Sequence, residues 1–396
     1  MKILIELSML LAITWILALG ALVSDILYWR HLRRTAPGRH IGFAVWALVT
    51  ESLPILLALV SLLLRDNSTT FMSIAMWTVW AWIITVPPRV VCYTFKRLHL
   101  PWLGWIAATG LVVLFMWGTI IGRTSIRVNR VEVVSQRLPA GFDGFRIVQL
   151  SDIHIGSLVN PERELQRIVD SVNCLHPDLV IFTGDLINIR YTELDARAMR
   201  ILGSLRAPYG VMSVTGNHDV GVYVKDSISL PHEVCLSQVI ARQRAMGWTV
   251  LQDTTVYLHR NADSITLSGL SFDSKLRHNR HDAILPPAEL ATVYRGIARD
   301  SLYNITAAHL PQLWSQIMAA GYGDLTLSGH VHSMQLKIKL FGRYLSPAQL
   351  LYSRWSGRYD ENGHTLYIND GTGYVVYPMR LGAYPEITLI TLKQCV

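Results

Sequence analysis

The chain reads as an N-terminal α-helical transmembrane domain of four spans followed by an α/β layered domain, and three observations predict that order. The composition is 51% hydrophobic with only 16% charged residues, too apolar for an ordinary soluble enzyme. The excess sits at one end: nine of the twelve Trp fall within residues 1–122, where four Asp or Glu face nine Lys or Arg. From Ile126 onward, short β-branched runs alternate with amphipathic stretches of helical period. The two domains are therefore drawn as 1–122 and 123–396.

Four apolar stretches make up the first domain: Ile3–Tyr28, Ile41–Leu64, Phe71–Val86 and Leu100–Ile121. A spanning helix needs roughly 20 apolar residues, and only the third, cut short at Pro87-Pro88, falls below that length. Trp29, Trp102 and Trp105 lie near stretch ends, where indole rings favour the membrane interface. Arg30, Arg33, Arg34 and Arg39 follow the first stretch and Arg89, Lys96 and Arg97 follow the third, against Arg65 after the second and Lys2 at the start. That bias predicts a multi-pass protein of the inner (plasma) membrane, with everything after Ile121 extracytoplasmic. Glu6 and Asp25 sit near the ends of the first stretch. Glu51 lies near the middle of the second, where a charge costs about 2.5–3.5 kcal/mol. It reads either as a proton, ion or substrate contact, or as a protonated acid hydrogen-bonded to a neighbouring helix near Pro54.

The net charge of +8 is mostly loop charge of the first domain, since the remainder balances 27 basic against 24 acidic residues. No basic face for nucleic acid results, and no nucleic-acid partner is expected. Four Cys in 396 residues exclude a disulfide scaffold. Cys174 and Cys235 are a pair that an oxidising compartment would allow to join, while Cys92 and Cys395 look incidental.

In the second domain the expected strands are Arg146–Ser151, Leu179–Thr183, Val211–Thr215, Ile265–Leu270, Asn304–Ala308, Leu325–Ser328, Thr365–Ile368 and Ile387–Leu392. Helical stretches fall at Pro161–Leu175, Leu194–Leu205, His232–Met246, Pro287–Arg299 and Pro311–Ala320, and the charged segment Asp273–Asp282 reads as an exposed loop. About 270 residues of this pattern suffice for a substantial core.

The chemistry is carried at the ends of these runs. Asp152 and His154 follow the first strand, Gly184-Asp185 the second, and Gly216-Asn217-His218-Asp219 the third. His309 follows Asn304–Ala308, and Gly329-His330-Val331-His332 follows Leu325–Ser328. Open α/β sheets build their sites at the carboxyl ends of strands. Glycine directly before three of the clusters suits a tight turn or close backbone approach. Carboxylate, imidazole and amide ligands together suit Mn, Fe or Zn better than Ca or Mg. A lone His is usually a core residue, but five such clusters in register with strand ends are not five accidents.

These blocks, D-x-H, GD, GNHD, H and GHxH in that order, resemble the calcineurin-like metallophosphoesterase family, whose fold is a β-sandwich flanked by helices. Leu138-Pro139 with Gly144-Phe145-Arg146, and Tyr367–Leu392 with Gly371, Pro378, Arg380, Pro385 and Glu386, look like the lead-in and closing segments of its bacterial membrane-anchored branch. The resemblance implies two divalent metals, Mn first, with Fe or Zn as alternatives. Asp152, His154, Asp185 and His332 would hold one; Asp185, Asn217, His309 and His330 would hold the other, with Asp185 bridging. It further implies a hydroxide between the metals as nucleophile and His218 as the acid for the leaving oxygen. Asp219 is expected either to orient His218 or to serve as a helix cap or solvent-facing acid. One departure stands out: relatives usually continue the last block as GHTHGGQ, whereas Ser333 and Met334 stand here after the two histidines, so a differently shaped pocket is expected.

Only about five residues separate Ile121 from Ile126, which keeps the second domain near the bilayer. Four spans exceed what an anchor needs. The leading reading is a membrane-embedded dimetal phosphoesterase acting on a phosphate ester or pyrophosphate of a lipid or lipid-linked substrate. The alternatives are an anchored phosphodiesterase of soluble nucleotides or phosphodiesters and, of another class, a non-catalytic sensor or transporter. Tyr352, Trp355 and Tyr359, interleaved with Arg354 and Arg358, are candidates for a lipid-facing or lid loop, against the reading of an ordinary packed loop.

Overall fold

A computed structural model describes residues 21–64, 69–221, 223–224, 231–272, 284–297 and 301–395. Most of the first apolar stretch, with Lys2 and Glu6, lies outside these residues, as do Arg65 and the Asp273–Asp282 loop. The chain forms two compact units, one built from the helices up to Gly122 together with Val376–Met379, the other from most of the residues beyond Gly122.

In the helical unit, residues 21–35 form α1, His40–Leu64 α2, Thr69–Arg97 α3 and Pro101–Ile120 α4. Among the described residues, two of these, α3 and α4, are long and apolar enough to cross a bilayer, so two of the four expected spans find support. The third stretch needs correction. Instead of ending at Pro87-Pro88, α3 runs through both prolines. Proline removes one backbone donor and crowds the preceding turn, a defect that helices in apolar surroundings tolerate when neighbours re-satisfy the backbone.

The longer helix also moves Arg89 from a loop into a buried position. Its Nε and Nη2 donate to Asp25 Oδ1 and Oδ2 at 2.8 and 2.6 Å, Nη2 also donates to Glu51 Oε1 at 2.9 Å, and Nη1 donates to Thr50 Oγ1 at 2.8 Å. Trp82 Nε1 donates to Glu51 Oε2 at 3.3 Å, and the guanidinium lies 4.4 Å from the Trp46 ring. Glu51 is therefore ion-paired, which neither sequence reading of it anticipated.

The second unit is a sandwich of two mixed sheets. Its strands are β1 (Arg127–Ser135), β2 (Arg146–Leu150), β3 (Leu179–Phe182), β4 (Val211–Ser213), β5 (Thr249–Val250), β6 (Thr254–Arg260), β7 (Asp263–Leu270), β8 (Asn304–Ala308), β9 (Leu325–Ser328), β10 (Ile338–Leu340), β11 (Arg343–Leu345), β12 (Gly357–Glu361), β13 (His364–Ile368) and β14 (Glu386–Gln394). One sheet runs β1-β14-β2-β3-β4-β5, with β2 to β5 parallel; the other runs β12-β13-β9-β8-β7-β6, with β13 to β7 parallel. All eight expected strands are present.

Strand alternation explains the core. Ile147, Leu179 and Ile181 from one sheet meet Ile265, Leu267, Ile305 and Leu327 from the other in one buried cluster. Their neighbours Val148, Val180 and Phe182 are equally buried on the opposite face, which explains why the parallel strands read as continuous apolar runs. Helix α5 (Pro161–Asn173) covers its sheet with Leu165, Ile168, Val169 and Val172, capped by the Asn160 side chain and opened by Pro161. The other helices are α6 (Ala196–Leu202), α7 (His232–Ala245), α8 (Pro287–Val293) and α9 (Trp314–Ala319). The stretch expected to reach Arg299 ends its helix at Val293, just before Gly296 at φ +82°. Cys174 and Cys235 are free thiols, one exposed and one buried.

Candidate metal centre

Five strands, β2, β3, β4, β8 and β9, deliver the candidate residues to one edge of the sandwich, and backbone hydrogen bonds stitch their loops together. Asp152 N donates to Gly184 O at 2.9 Å, His154 N to Asp185 O at 3.2 Å, and Gly329 N to His309 O at 3.1 Å. The backbone turns sharply at the candidate ligand positions. Asp152, His154, Asp185, His330 and His332 all take left-handed φ between 47° and 74°, at roughly 1–2 kcal/mol per L-residue. Strain of this kind gathers where surrounding structure holds a site in shape. The glycines are sterically required: a Cβ on Gly216 would clash with Asp185 Oδ1, and one on Gly329 would clash with Ser151 Oγ.

The side chains converge in two groups that share Asp185. Asp152, His154, Asp185 and His332 offer ligand atoms all within 4.8 Å of one another, and so do Asp185, His309 and His330. His332 Nε2 lies 2.9 Å from Asp152 Oδ1 and 3.1 Å from His154 Nε2, which is itself 3.8 Å from both carboxylates. His309 Nε2 is 3.1 Å from Asp185 Oδ2 and 3.1 Å from Asn217 Oδ1, while its Nδ1 donates to Thr183 O at 2.7 Å. A cation with bonds of about 2.0–2.2 Å holds its donors at such separations, and a ligating imidazole is commonly anchored through its other nitrogen. The buried Asp/His cluster is thus suited to a dimetal centre.

Electrostatics favour the metal-binding forms of Asp152, Asp185 and His154, but not of His309. Burial alone would raise both carboxyls, but His332 and His154 hold Asp152 well below the usual range, and His309 with His218 does the same for Asp185. Burial pushes His154 down to about 3, with neighbouring imidazoles adding to the effect. Burial also works against His309, yet the Asp185 charge outweighs it and raises that imidazole to about 9. Ionised carboxylates and a neutral imidazole are the species that ligate; His309 must give up a proton when a cation takes its place.

His218 stands beside the cluster without joining either ligand group. Its backbone N donates to Asp185 Oδ1 at 2.8 Å, and its ring lies edge-on to His154 at 4.5 Å and against Tyr223 at 4.4 Å. Ring Nδ1 meets the carbonyl oxygen of Asn188. A carbonyl only accepts, so Nδ1 carries a hydrogen and Nε2 is the nitrogen left for substrate.

The expectation that Asp219 orients this ring is corrected. Its carboxylate accepts from the backbone N of Gly216, Asp185, Leu186 and Ile187, tying the second and third loops together, and burial beside Asp185 raises it to about 7. The ring is oriented by Asn188, whose loop is gathered on Glu193: that carboxylate accepts from Gly156, Asn188, Ile189 and Arg190 N. No strand-end pattern pointed to Glu193.

Two tyrosines complete the surroundings. Tyr223 OH accepts from Asn217 Nδ2 at 3.1 Å, which the sequence reading missed. Tyr352 OH lies 3.4 Å from His330 Nε2, so this member of the candidate lid loop reaches the site. Trp355 and Tyr359 instead pack, with Tyr359 OH accepting from Trp355 N at 3.0 Å. Ser333 and Met334 adopt φ of 49° and 47°. Ser333 Oγ donates to Asp370 Oδ1 at 2.6 Å, and Met334 packs with Tyr352, Val331 and Trp355.

A sandwich with two overlapping Asp/His groups at its strand ends has the donor arrangement of a metal-dependent enzyme. The profile described as calcineurin-like phosphoesterase matches residues 145–334, and the chain belongs to the calcineurin-like metallophosphoesterase family, as a metal-dependent phosphoesterase. The metallophosphoesterase YkuE of Bacillus subtilis is 32% identical over 274 residues, 68% of this chain and 86% of that one. A transmembrane protein with metallophosphoesterase domain from Danio rerio is 32% identical over 288 residues, 71% of this chain but only 61% of its own length. The UDP-2,3-diacylglucosamine pyrophosphatase LpxG of Chlamydia trachomatis is 24% identical over 296 residues, 66% of this chain and 88% of that one.

Proposed function

We propose that this chain is a membrane-embedded dimetal phosphoesterase that hydrolyses a phosphate ester or pyrophosphate of a lipid or lipid-linked substrate on the extracytoplasmic face. The observation that carries the chemistry is the convergence of buried ligand atoms on Asp185, with His218 alongside. Asp152, His154, Asp185 and His332 would hold one cation; Asp185, Asn217, His309 and His330 would hold the other. The mixed donor set favours Mn, with Fe or Zn as substitutes. With two such cations bound, the site would gain Lewis acidity toward the phosphate oxygens and a water acidified enough to attack at neutral pH. His218, anchored through Nδ1–H on Asn188 O, presents Nε2 to the leaving oxygen and, when doubly protonated, donates the Nε2 proton there and returns to the neutral Nδ1–H ring.

Three features support the lipid. The chain carries apolar helices α3 and α4, the linker between α4 and β1 is short, and the similar LpxG is named for a diacylated substrate. The extracytoplasmic orientation keeps its support after Arg89 is moved into α3, because Arg30, Arg33, Arg34, Arg39, Lys96 and Arg97 still outnumber Lys2 and Arg65.

Phosphorus NMR of total membrane lipid extract, incubated with Mn-loaded full-length protein in detergent, tests this reading against an Asp185→Asn control. Loss of a lipid-phosphate signal with the native protein alone is the expected result. An unchanged spectrum, alongside cleavage of a soluble diester, would reduce the helices to an anchor.

A further inference from the structure

Strands β10 and β11 form a two-stranded ribbon outside both sheets, pairing Ile338 with Leu345, Lys339 with Tyr344 and Leu340 with Arg343. Every residue of the ribbon is exposed, and the apolar ones are large: Ile338, Leu340, Tyr344 and Leu345. Phe341 at the tip is 95% exposed. It occupies the first central position of a two-residue turn with Gly342, both at positive φ, 48° and 78°. Such turns ordinarily take Asn or Asp at that position, because a bulky side chain is strained in the left-handed region. Phe341 is thus unfavourable twice over, in its backbone and in water. Residues that break local rules in this way are candidates for function.

An isolated two-stranded hairpin is marginal in water, and this one is held at its base. Lys337 N donates to Leu381 O at 2.8 Å, and its ammonium reaches Asp370 Oδ2 at 2.9 Å and Ser356 Oγ at 2.7 Å. Ser346 Oγ donates to Ser333 O at 2.7 Å, next to the candidate ligand His332. The ribbon's own charges, Lys339 and Arg343, are both basic and flank the tip, whereas Lys337, Arg354 and Arg358 nearby are paired with Asp370, Glu361 and Asp360. A protruding apolar tip flanked by cations matches an anionic bilayer surface, where interfacial elements bury their apolar side by about 5–10 Å.

We propose that the Ile338–Leu345 hairpin inserts Phe341 and its flanking aliphatic side chains into the interface of an anionic bilayer. The proposal rests on the membrane reading above and is independent of the substrate.

The test uses the full chain with Cys92, Cys174, Cys235 and Cys395 changed to Ala. It is reconstituted in phosphatidylethanolamine vesicles containing a minority of phosphatidylglycerol and of lipid spin-labelled in its acyl chain. An environment-sensitive fluorophore is attached in turn at Phe341→Cys, at Leu340→Cys, at Val113→Cys on an exposed position of α4, and at Asn362→Cys in the exposed β12–β13 turn. The inference expects the labels at 341 and 340 to be quenched severalfold more than the label at 362, and the label at 113 to be quenched as well. Quenching at 113 with none at 340 or 341 overturns the hairpin's role and leaves the membrane reading standing. No quenching at 113 overturns the membrane reading and the inference with it. Labels at 340 and 341 that are shielded from aqueous iodide yet unquenched by lipid would mean that protein covers the hairpin, and would also overturn the inference.

Discussion

Each unit of this protein buries a cluster of opposite charges, and the two clusters close differently. In the helical unit Arg89 spends its donors on Asp25, Glu51 and Thr50, so the groups satisfy one another. In the sandwich, two carboxylates and four imidazoles gather their ligand atoms within 4.8 Å in two groups, with two ring nitrogens 3.1 Å apart and the Asp185 carboxylate common to both groups. A self-satisfied cluster behaves as a clamp. A convergent cluster of acceptors and lone pairs calls for a cation. Buried charge alone does not mark a site; what marks it is whether the cluster is complete without a ligand.

The contrast can be broken by substitution. Asp185→Asn weakens the group shared by both ligand sets, and several kcal/mol of transition-state stabilisation should be lost, about 10⁴-fold in kcat on a generic phosphodiester. His218→Asn should cost about 10³-fold in kcat while leaving metal content unchanged, which separates proton delivery from metal binding. Arg89→Leu should leave Asp25 and Glu51 buried and uncompensated, costing about 3–5 kcal/mol of stability in thermal unfolding. The folded fraction should keep its kcat, and the triple change Asp25→Asn, Glu51→Gln, Arg89→Leu should recover much of the stability; a kcat that fell with Arg89→Leu would make the clamp part of the site. Tyr352→Phe, which removes the hydroxyl 3.4 Å from His330 Nε2, should lower kcat/KM by about fivefold, the worth of one hydrogen bond of about 1 kcal/mol.

The same contrast explains what was legible in the sequence. The candidate metal cluster is written locally: each candidate ligand follows a short apolar strand, so residue type and strand end together locate Asp152, Asp185, Asn217, His309 and His330. The clamp is not local. Its members come from α1, α2 and α3, and Pro87-Pro88 looked like the end of the helix that holds Arg89. The role of Asp219 was misread because adjacency to His218 in sequence says nothing about which side of the backbone each side chain serves. Strand β1 escaped because it pairs with β14, some 260 positions away, and its Arg127, Arg130 and Glu132 break the apolar pattern. The β10–β11 hairpin escaped because both its faces are exposed, which leaves no alternation to detect.

The most direct test is metal content per chain, measured by inductively coupled plasma mass spectrometry on purified native, Asp25→Asn and Asp185→Asn proteins. The two overlapping ligand groups predict two divalent ions in the native chain, two in Asp25→Asn, and a loss of metal in Asp185→Asn. Metal lost from Asp25→Asn, or fully retained in Asp185→Asn, would contradict the account.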